Sequence, residues 1–137
     1  MAIPTTGGGY QVGDGNLNEL QMGYTASVQT ATSTASLTVG QTLGGILVGN
    51  PSTSAATYTL PTVAATEAVL SNAKVGSTFD LIVVNLGTSS GVITMAVGTG
   101  WTLVGLATVA ITSAVGSSAQ FKALKTGAGA WTMYRVA

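Results

Sequence analysis

The 137-residue chain contains no cysteine and no histidine, and charged residues make up only 6% of it. Without cysteine there is no disulfide, no thiolate nucleophile and no cysteine-ligated metal. Without histidine the chain lacks the commonest general base and metal ligand. Four basic residues balance four acidic ones, and an ordinary soluble domain carries about 25% charge. We therefore expect no enzyme activity, no catalytic residues, no metal, no cofactor and no nucleic-acid partner.

Long hydrophobic runs are also missing, although 46% of the residues are hydrophobic. No stretch of about 18 residues is predominantly apolar, as a spanning helix requires, and residues 101–115 are interrupted by threonine, serine and glycine. A chain this rich in aliphatic residues should fold, unlike a disordered one. Its surface must then consist mainly of serine, threonine, glycine and asparagine, and a net charge of zero favours association. We expect a protein that works inside an assembly, with no membrane partner.

Residues 1–34 differ from the rest and are predicted to form an extended N-terminal arm rich in Gly, Ser and Thr. Glycine at this density disfavours both helix and strand, and scattered apolar residues cannot build a core. The arm is expected either to pack on its own domain or to lie on a neighbouring subunit. The candidate partner contacts of the arm are its large apolar side chains, Tyr10, Leu17, Leu20, Met22 and Tyr24.

Residues 35–137 show short strand-like runs between turn signals, which predicts a mainly β domain, a β-sandwich or jelly roll with one short helix. The predicted strands are Ser36–Val39, Gly45–Val48, Ala56–Leu60, Ser77–Leu86, Val92–Val97, Trp101–Val104, Thr108–Thr112, Ser118–Lys125 and Ala130–Val136. The run Leu81–Val84 is apolar at every position, which is typical of a central strand covered on both faces.

One segment has the spacing of a helix. Thr62 is a candidate N-cap directly after Pro61. One face carries residues at helical spacing: Thr66, Val69, Leu70 and Ala73. Lys74 is expected in the last turn, where a cation suits the helix dipole, and Gly76 is expected to end the helix in a left-handed conformation.

The few chemically active residues do not form a recognisable site. The stretch Asp14–Glu19 begins like a calcium loop, but Glu19 stands where such a loop needs glycine, so we interpret it as a turn or arm contact. Asp80 opens an apolar strand and is expected to pair with Lys74 or Lys122, or to face solvent. Trp101, Trp131 and Tyr134 are candidate surface or interface aromatics, which either stack on sugars or pack in a core or subunit interface.

The last 80 residues contain a series of segments that resembles small structural proteins of tailed bacteriophage particles. The segments are Tyr58–Pro61, an Ala-rich helix, Lys74–Phe79, Ile82–Asn85, Gly100–Gly105, Thr108–Val109 and Gly129–Val136. Such proteins are β-sandwich modules of head decoration (cement) proteins, head fibres and some tail parts, and they are commonly trimeric. Nothing in this pattern is catalytic.

The resemblance implies a virion protein on the outer surface of the capsid. We expect a decoration protein that binds the major capsid protein and stabilises the shell through its arm and a homotrimer of the β-domain. A head-fibre or tail-associated structural protein is the alternative within this class. A sugar-binding adhesion module of the virion, with host surface glycans as its partner, is the alternative from another class.

Overall fold

The computed structural model describes Thr25 and residues 27–137, and regular structure in this part of the chain begins at Gln29. Short strands alternate with two short helices: β1 (Gln29–Ala31), β2 (Ala35–Ser36), α1 (Val39–Leu43), β3 (Ile46–Gly49), β4 (Ala56–Thr59), α2 (Val63–Val69), β5 (Thr78–Asn85), β6 (Ile93–Ala96), β7 (Trp101–Val104), β8 (Thr108–Val109), β9 (Ser118–Gly127) and β10 (Ala130–Arg135). The longer strands are rich in the β-branched and aromatic residues that suit a pleated, half-buried surface.

The strands form two sheets, and the chain passes from one sheet to the other at each step up to β8. The six-stranded sheet has the order β1-β3-β5-β9-β10-β7, and the four-stranded sheet has the order β2-β4-β6-β8. β1, β3 and β5 pair in parallel, and so do β2, β4 and β6. β9 pairs antiparallel with both β5 and β10. The first six strands therefore wind in three successive coils around one core.

The predicted mainly β sandwich is confirmed by the contact between the two sheets. A β-carbon added to Gly49 of β3 would come within 2.4 Å of Ile93 Cδ1 and 2.8 Å of Tyr58 Cε2, both on the four-stranded sheet. Only glycine allows the sheets to approach this closely here. The parallel pairs differ from the antiparallel order of a jelly roll. Alternation along a strand encodes which face is buried, whereas the choice of partner strand depends on distant residues.

The inner faces of both sheets supply one core. Its largest fully buried side chains include Leu47, Leu81, Val83, Phe121 and Met133 from the six-stranded sheet, and Tyr58, Ile93 and Val109 from the other. The hydroxyl of Tyr58 donates a hydrogen bond to the carbonyl of Ala31, at 3.0 Å, so this buried polar group has a partner. Burial raises the pKa of Tyr58.

A buried asparagine ties β5 to the loop that follows it and to β8. Asn85 is 1% exposed. Its side-chain amide donates to the carbonyls of Gly91, Val109 and Ala110 at 2.8, 3.1 and 2.9 Å. Its side-chain oxygen accepts from the Gly87 amide at 2.7 Å. The side chain therefore uses both its amide group and its carbonyl oxygen to bind backbone groups of the 87–91 loop and of the end of β8.

The predicted helix exists, but it is shorter than expected. Thr62 caps it as predicted, because its hydroxyl accepts from the Ala65 amide at 3.2 Å. α2 ends at Val69, since the backbone of Leu70 leaves the helical region, so the prediction that Lys74 lies in the last turn is wrong. Gly76 is left-handed, with φ at +93°, but it shapes the turn into β5 instead of the helix end.

A second helix, α1, was not predicted. Thr38 and Gln41 form a reciprocal capping box, with Thr38 Oγ1 accepting from the Gln41 amide at 3.1 Å and Gln41 Oε1 accepting from the Thr38 amide at 2.9 Å. The predicted strand at Ser36–Val39 is therefore wrong after Ser36. At five and seven residues, the two helices of the described part are too short to cross a membrane.

The strands predicted from Gly45 onward are confirmed, with ends that shift by at most three residues. β1 was not predicted and lies within the segment assigned to the arm. It pairs with β3, aligning Gln29 with Leu47 and Ala31 with Gly49. The sandwich therefore begins before residue 35. Residues 1–24 and Ala26 lie outside the described part of the chain.

Candidate interaction surfaces

Glu67 of α2 and Lys125 of β9 form an ion pair, with 2.8 Å between Oε1 and Nζ. The indole nitrogen of Trp131 donates to the same carboxylate oxygen at 3.0 Å, and Lys125 Nζ donates to the Ala73 carbonyl at 3.2 Å. The hydrogen bonds from Lys125 and then Trp131 hold the pKa of Glu67 below its ordinary value. The Glu67 carboxylate therefore binds both Lys125 and Trp131, and this cluster links α2 to the six-stranded sheet.

Asp80 pairs with Lys122, one of the partners that the sequence suggested. The two residues lie opposite each other on β5 and β9, and 2.9 Å separates Lys122 Nζ from Asp80 Oδ1. Both side chains are about half exposed. An exposed pair of this kind contributes little to stability, on the order of 0–1 kcal/mol. Its main consequence is that it neutralises the outer surface of the six-stranded sheet.

The tryptophans lie in the core, so their assignment as surface aromatics is wrong. Trp131 is 1% exposed and Trp101 is 6% exposed. Their ring centroids are 5.8 Å apart, because parallel pairing sets the two residues side by side on β10 and β7, and Phe79 packs against both. Trp101 Nε1 donates to the Pro61 carbonyl at 2.9 Å. Tyr134 is the exception, since it is 36% exposed on the outer face of β10.

The loop from Gly87 to Gly91 has the G-x-S-x-G spacing of a nucleophile elbow, and its central residue, Ser89, has a positive φ of 55°. In that motif a strand leads into a helix and a histidine activates the serine. Here the loop joins β5 to β6, and the chain contains no histidine. The left-handed serine is therefore part of a tight turn, which the hydrogen bonds of Asn85 hold in place.

The candidate arm contacts lie outside the described residues: Tyr10, Leu17, Leu20, Met22 and Tyr24. Among the described residues, no group of three or more acidic side chains could hold a metal ion. The other candidates for interaction are apolar surfaces.

The outer face of β3 and β5 is the first such surface. Ile46 pairs with Ile82, and Val48 pairs with Val84, which places four β-branched side chains in a two-by-two patch. We call these four residues the β3–β5 face. They are only partly buried, and Ile82 is 36% exposed, whereas their neighbours Leu81 and Val83 are completely buried on the inner face. The prediction that this strand is central is confirmed, and in the described chain one of its faces is covered.

The outer face of the four-stranded sheet is different, because threonine dominates it. Thr57, Thr94 and Thr108 lie side by side across β4, β6 and β8, and each is partly exposed. Threonine is a good strand residue with a polar outer face. The two sheets therefore turn unlike surfaces outward, one aliphatic and one hydroxylated, which provides an internal control for experiments on the aliphatic one.

The second apolar surface is an open groove beside α1, with a volume of about 480 Å³. Its lining comes from the residue two positions before β1, the start of β1, α1 and its C-cap, and the end of α2: Ser27, Gln29, Val39, Gly40, Leu43, Gly44 and Val69. We call it the α1 groove. Val69 is 62% exposed, although the helical spacing places it on the same face as Thr66, which is fully buried.

The α1 groove was not predicted from the sequence because neither β1 nor α1, the two elements that frame it, was predicted. A signal for α1 was present, since Thr38 followed by Gln41 is the spacing of a capping box. No comparable signal marks β1, which has three residues and no alternation of apolar and polar side chains.

Comparison with known proteins adds no relative: no protein-family model, no curated protein and no solved structure matches the chain.

Proposed function

We propose that the chain is a capsid decoration (cement) protein of a tailed bacteriophage. In this proposal it forms a homotrimer through the outer face of its six-stranded sheet and binds the major capsid protein on the outer surface of the head with its N-terminal arm. The resemblance of residues 58–136 to phage structural proteins supports the class of function. The observation that carries the proposal is the β3–β5 face, an aliphatic surface that the described part of the chain leaves uncovered.

The size of the sheet suits a subunit interface. Each residue of a sheet covers roughly 16 Å² of the sheet plane, from a rise of about 3.3 Å and a strand spacing of about 4.8 Å, so the six strands present about 550 Å². Three such faces turned toward a common three-fold axis bury about 1,650 Å² in total, or about 550 Å² for each pair of copies, so the sheet face supplies about half of the roughly 1,000 Å² expected of each pairwise interface. Aliphatic side chains at its centre provide the apolar burial that drives association.

The charges around the β3–β5 face favour another copy of the same chain as the occupant. Asp80 and Lys122 neutralise each other on adjacent strands, and Gln120 opposite Ile82 is uncharged. The chain as a whole has no net charge. Two copies therefore meet without the electrostatic repulsion that two strongly acidic or two strongly basic faces would produce. We infer that the copies of a trimer bury this face against one another.

Light scattering coupled to size exclusion tests the trimer. The wild-type protein is expected at three times the chain mass of 13.5 kDa. Ile82→Lys places a charge in the centre of the β3–β5 face and is expected to yield monomers. Thr94→Lys, at a partly exposed position on the outer face of the other sheet, is the matched control and should leave the trimer intact. A wild-type monomer at high concentration, or a trimer unaffected by Ile82→Lys, would contradict the proposal.

Copy number in purified particles separates decoration from the other structural roles. Quantitative mass spectrometry should find the chain at hundreds of copies per particle if it decorates the head. A few dozen copies or fewer would instead indicate a fibre or tail protein. Absence from particles would overturn the virion assignment altogether.

The sugar-binding alternative has lost two of its three candidate residues, and only Tyr134 is exposed. Trp101 and Trp131 are buried, with their indole nitrogens bonded to Pro61 and Glu67, so neither offers a ring face to a sugar. Glycan-array binding by the intact protein, retained when Tyr134 is replaced by Ala, would revive an adhesion role at some other surface.

A further inference from the structure

The described chain starts at the rim of the α1 groove. Ser27 and Gln29 belong to its lining. A β-carbon added to Gly45, the residue after the C-cap of α1, would lie 4.0 Å from Thr25 Oγ1. Whatever precedes Thr25 therefore emerges within a few residues of the groove. Five residues of extended chain span at most about 18 Å. Residues 20–24 are therefore held within about this distance of Thr25, close to the groove.

The sequence of that segment has the pattern of an extended chain with one buried side. In Leu20-Gln21-Met22-Gly23-Tyr24 the large apolar residues alternate with glutamine and glycine. Successive side chains of an extended strand point to opposite faces, so Leu20, Met22 and Tyr24 share one face. The groove offers a matching surface, since Val39, Leu43 and Val69 contribute aliphatic side chains and Gly40 leaves room beside them.

We propose that Leu20, Met22 and Tyr24 bind in the α1 groove of their own domain. The groove is an open surface of about 480 Å³ with an apolar lining, and the segment that fits it is tethered at its rim. A tethered segment binds intramolecularly, at a high effective concentration, so its own groove is favoured over the groove of a neighbour. Of the five arm residues considered as capsid contacts, this leaves Tyr10 and Leu17 for the shell.

The absence of natural cysteine allows a direct test by disulfide cross-linking. Met22→Cys is combined with Val69→Cys, an exposed position whose replacement does not disturb the core. Mild oxidation of the purified full-length chain is expected to give an intramolecular disulfide at least ten times faster than in two controls. One control pairs Met22→Cys with Val104→Cys on β7, at the opposite edge of the sheet from β1. The other pairs Gln21→Cys with Val69→Cys, which tests the alternation.

Each outcome of the experiment has a definite meaning. A monomeric product with both thiols consumed supports the proposal, provided that its melting temperature shows a folded domain. A dimeric product means that the segment binds the groove of a neighbouring copy, which overturns docking on its own domain. Cross-linking no faster than in the controls overturns docking in the groove. The test uses the isolated chain, so a failure of the chain to bind particles would leave its result unaffected.

Discussion

Replacing Asn85 with alanine should destabilise the sandwich more than its small change in volume suggests. The substitution removes all four hydrogen bonds of the side chain. It leaves the carbonyls of Gly91, Val109 and Ala110 and the amide of Gly87 without that partner. A buried polar group that loses its partner costs more than the net value of the bond, because it was desolvated on folding.

The size of the effect follows from these bonds. At about 0.5–1.5 kcal/mol for each hydrogen bond, with a further cost for buried groups left unpaired, we expect a loss of about 3–5 kcal/mol. That is a large share of the total stability of a domain this size, which lies at about 5–15 kcal/mol. The melting temperature should fall by about 10 °C or more.

Thermal and urea unfolding followed by circular dichroism would measure this change. Asn72→Ala is the matched control, because Asn72 is exposed in the loop after α2, and it should stay within about 0.5 kcal/mol of the wild type. If Asn85→Ala melts as close to the wild type as the control does, the buried network does not hold β5, β8 and the 87–91 loop together.

Three further outcomes are expected. Gly76→Val should lower the free energy of unfolding by about 1 kcal/mol or more, because Gly76 has a φ of +93°. The control Gly127→Ala should be tolerated, because Gly127 has no positive φ. Equal urea midpoints for the two variants would contradict this. The folded pKa of Glu67 lies below its unfolded value, so its stabilisation is present above the unfolded pKa and is lost as the pH falls through the folded one. The melting temperature should therefore fall as the pH drops below about 4.5, and less steeply in Glu67→Gln; parallel curves would show that the ion pair does not contribute. Deleting residues 1–19 should leave β1 and cooperative melting intact but weaken binding to particles; full occupancy would show that these residues are not the attachment device.

The sequence predicted the strands well because their signal is local. Alternation in residues 118–125 and the turn glycines between strands were enough to place them. The parallel pairing of β1, β3 and β5 could not be predicted in this way, since nothing within a strand identifies its partner. α2 was overextended because Ala73 continued the helical spacing past Ser71 and Asn72, two residues that favour turns.

The candidate surfaces were predicted less well for a related reason. Trp101 and Trp131 carry a polar indole nitrogen, so composition alone fits either a core or a surface, and their burial depends on partners 40 and 64 residues away, Pro61 and Glu67. The run Leu81–Val84 correctly indicated a central strand, but the expectation that both of its faces are covered is wrong for the described chain. The described chain covers its inner face, and Ile82 and Val84 on the outer one became the basis of the proposed interface.

The central claim is that the chain belongs to the capsid surface and is held there by apolar contacts and backbone pairing. Its charged residues are few and balanced, so long-range attraction to the shell cannot provide the binding. The most direct measurement counts the copies of the chain on purified particles by quantitative mass spectrometry before and after a wash in molar salt. The account predicts hundreds of copies per particle and no loss in the wash. Release by salt alone, or particles without the chain, would contradict it.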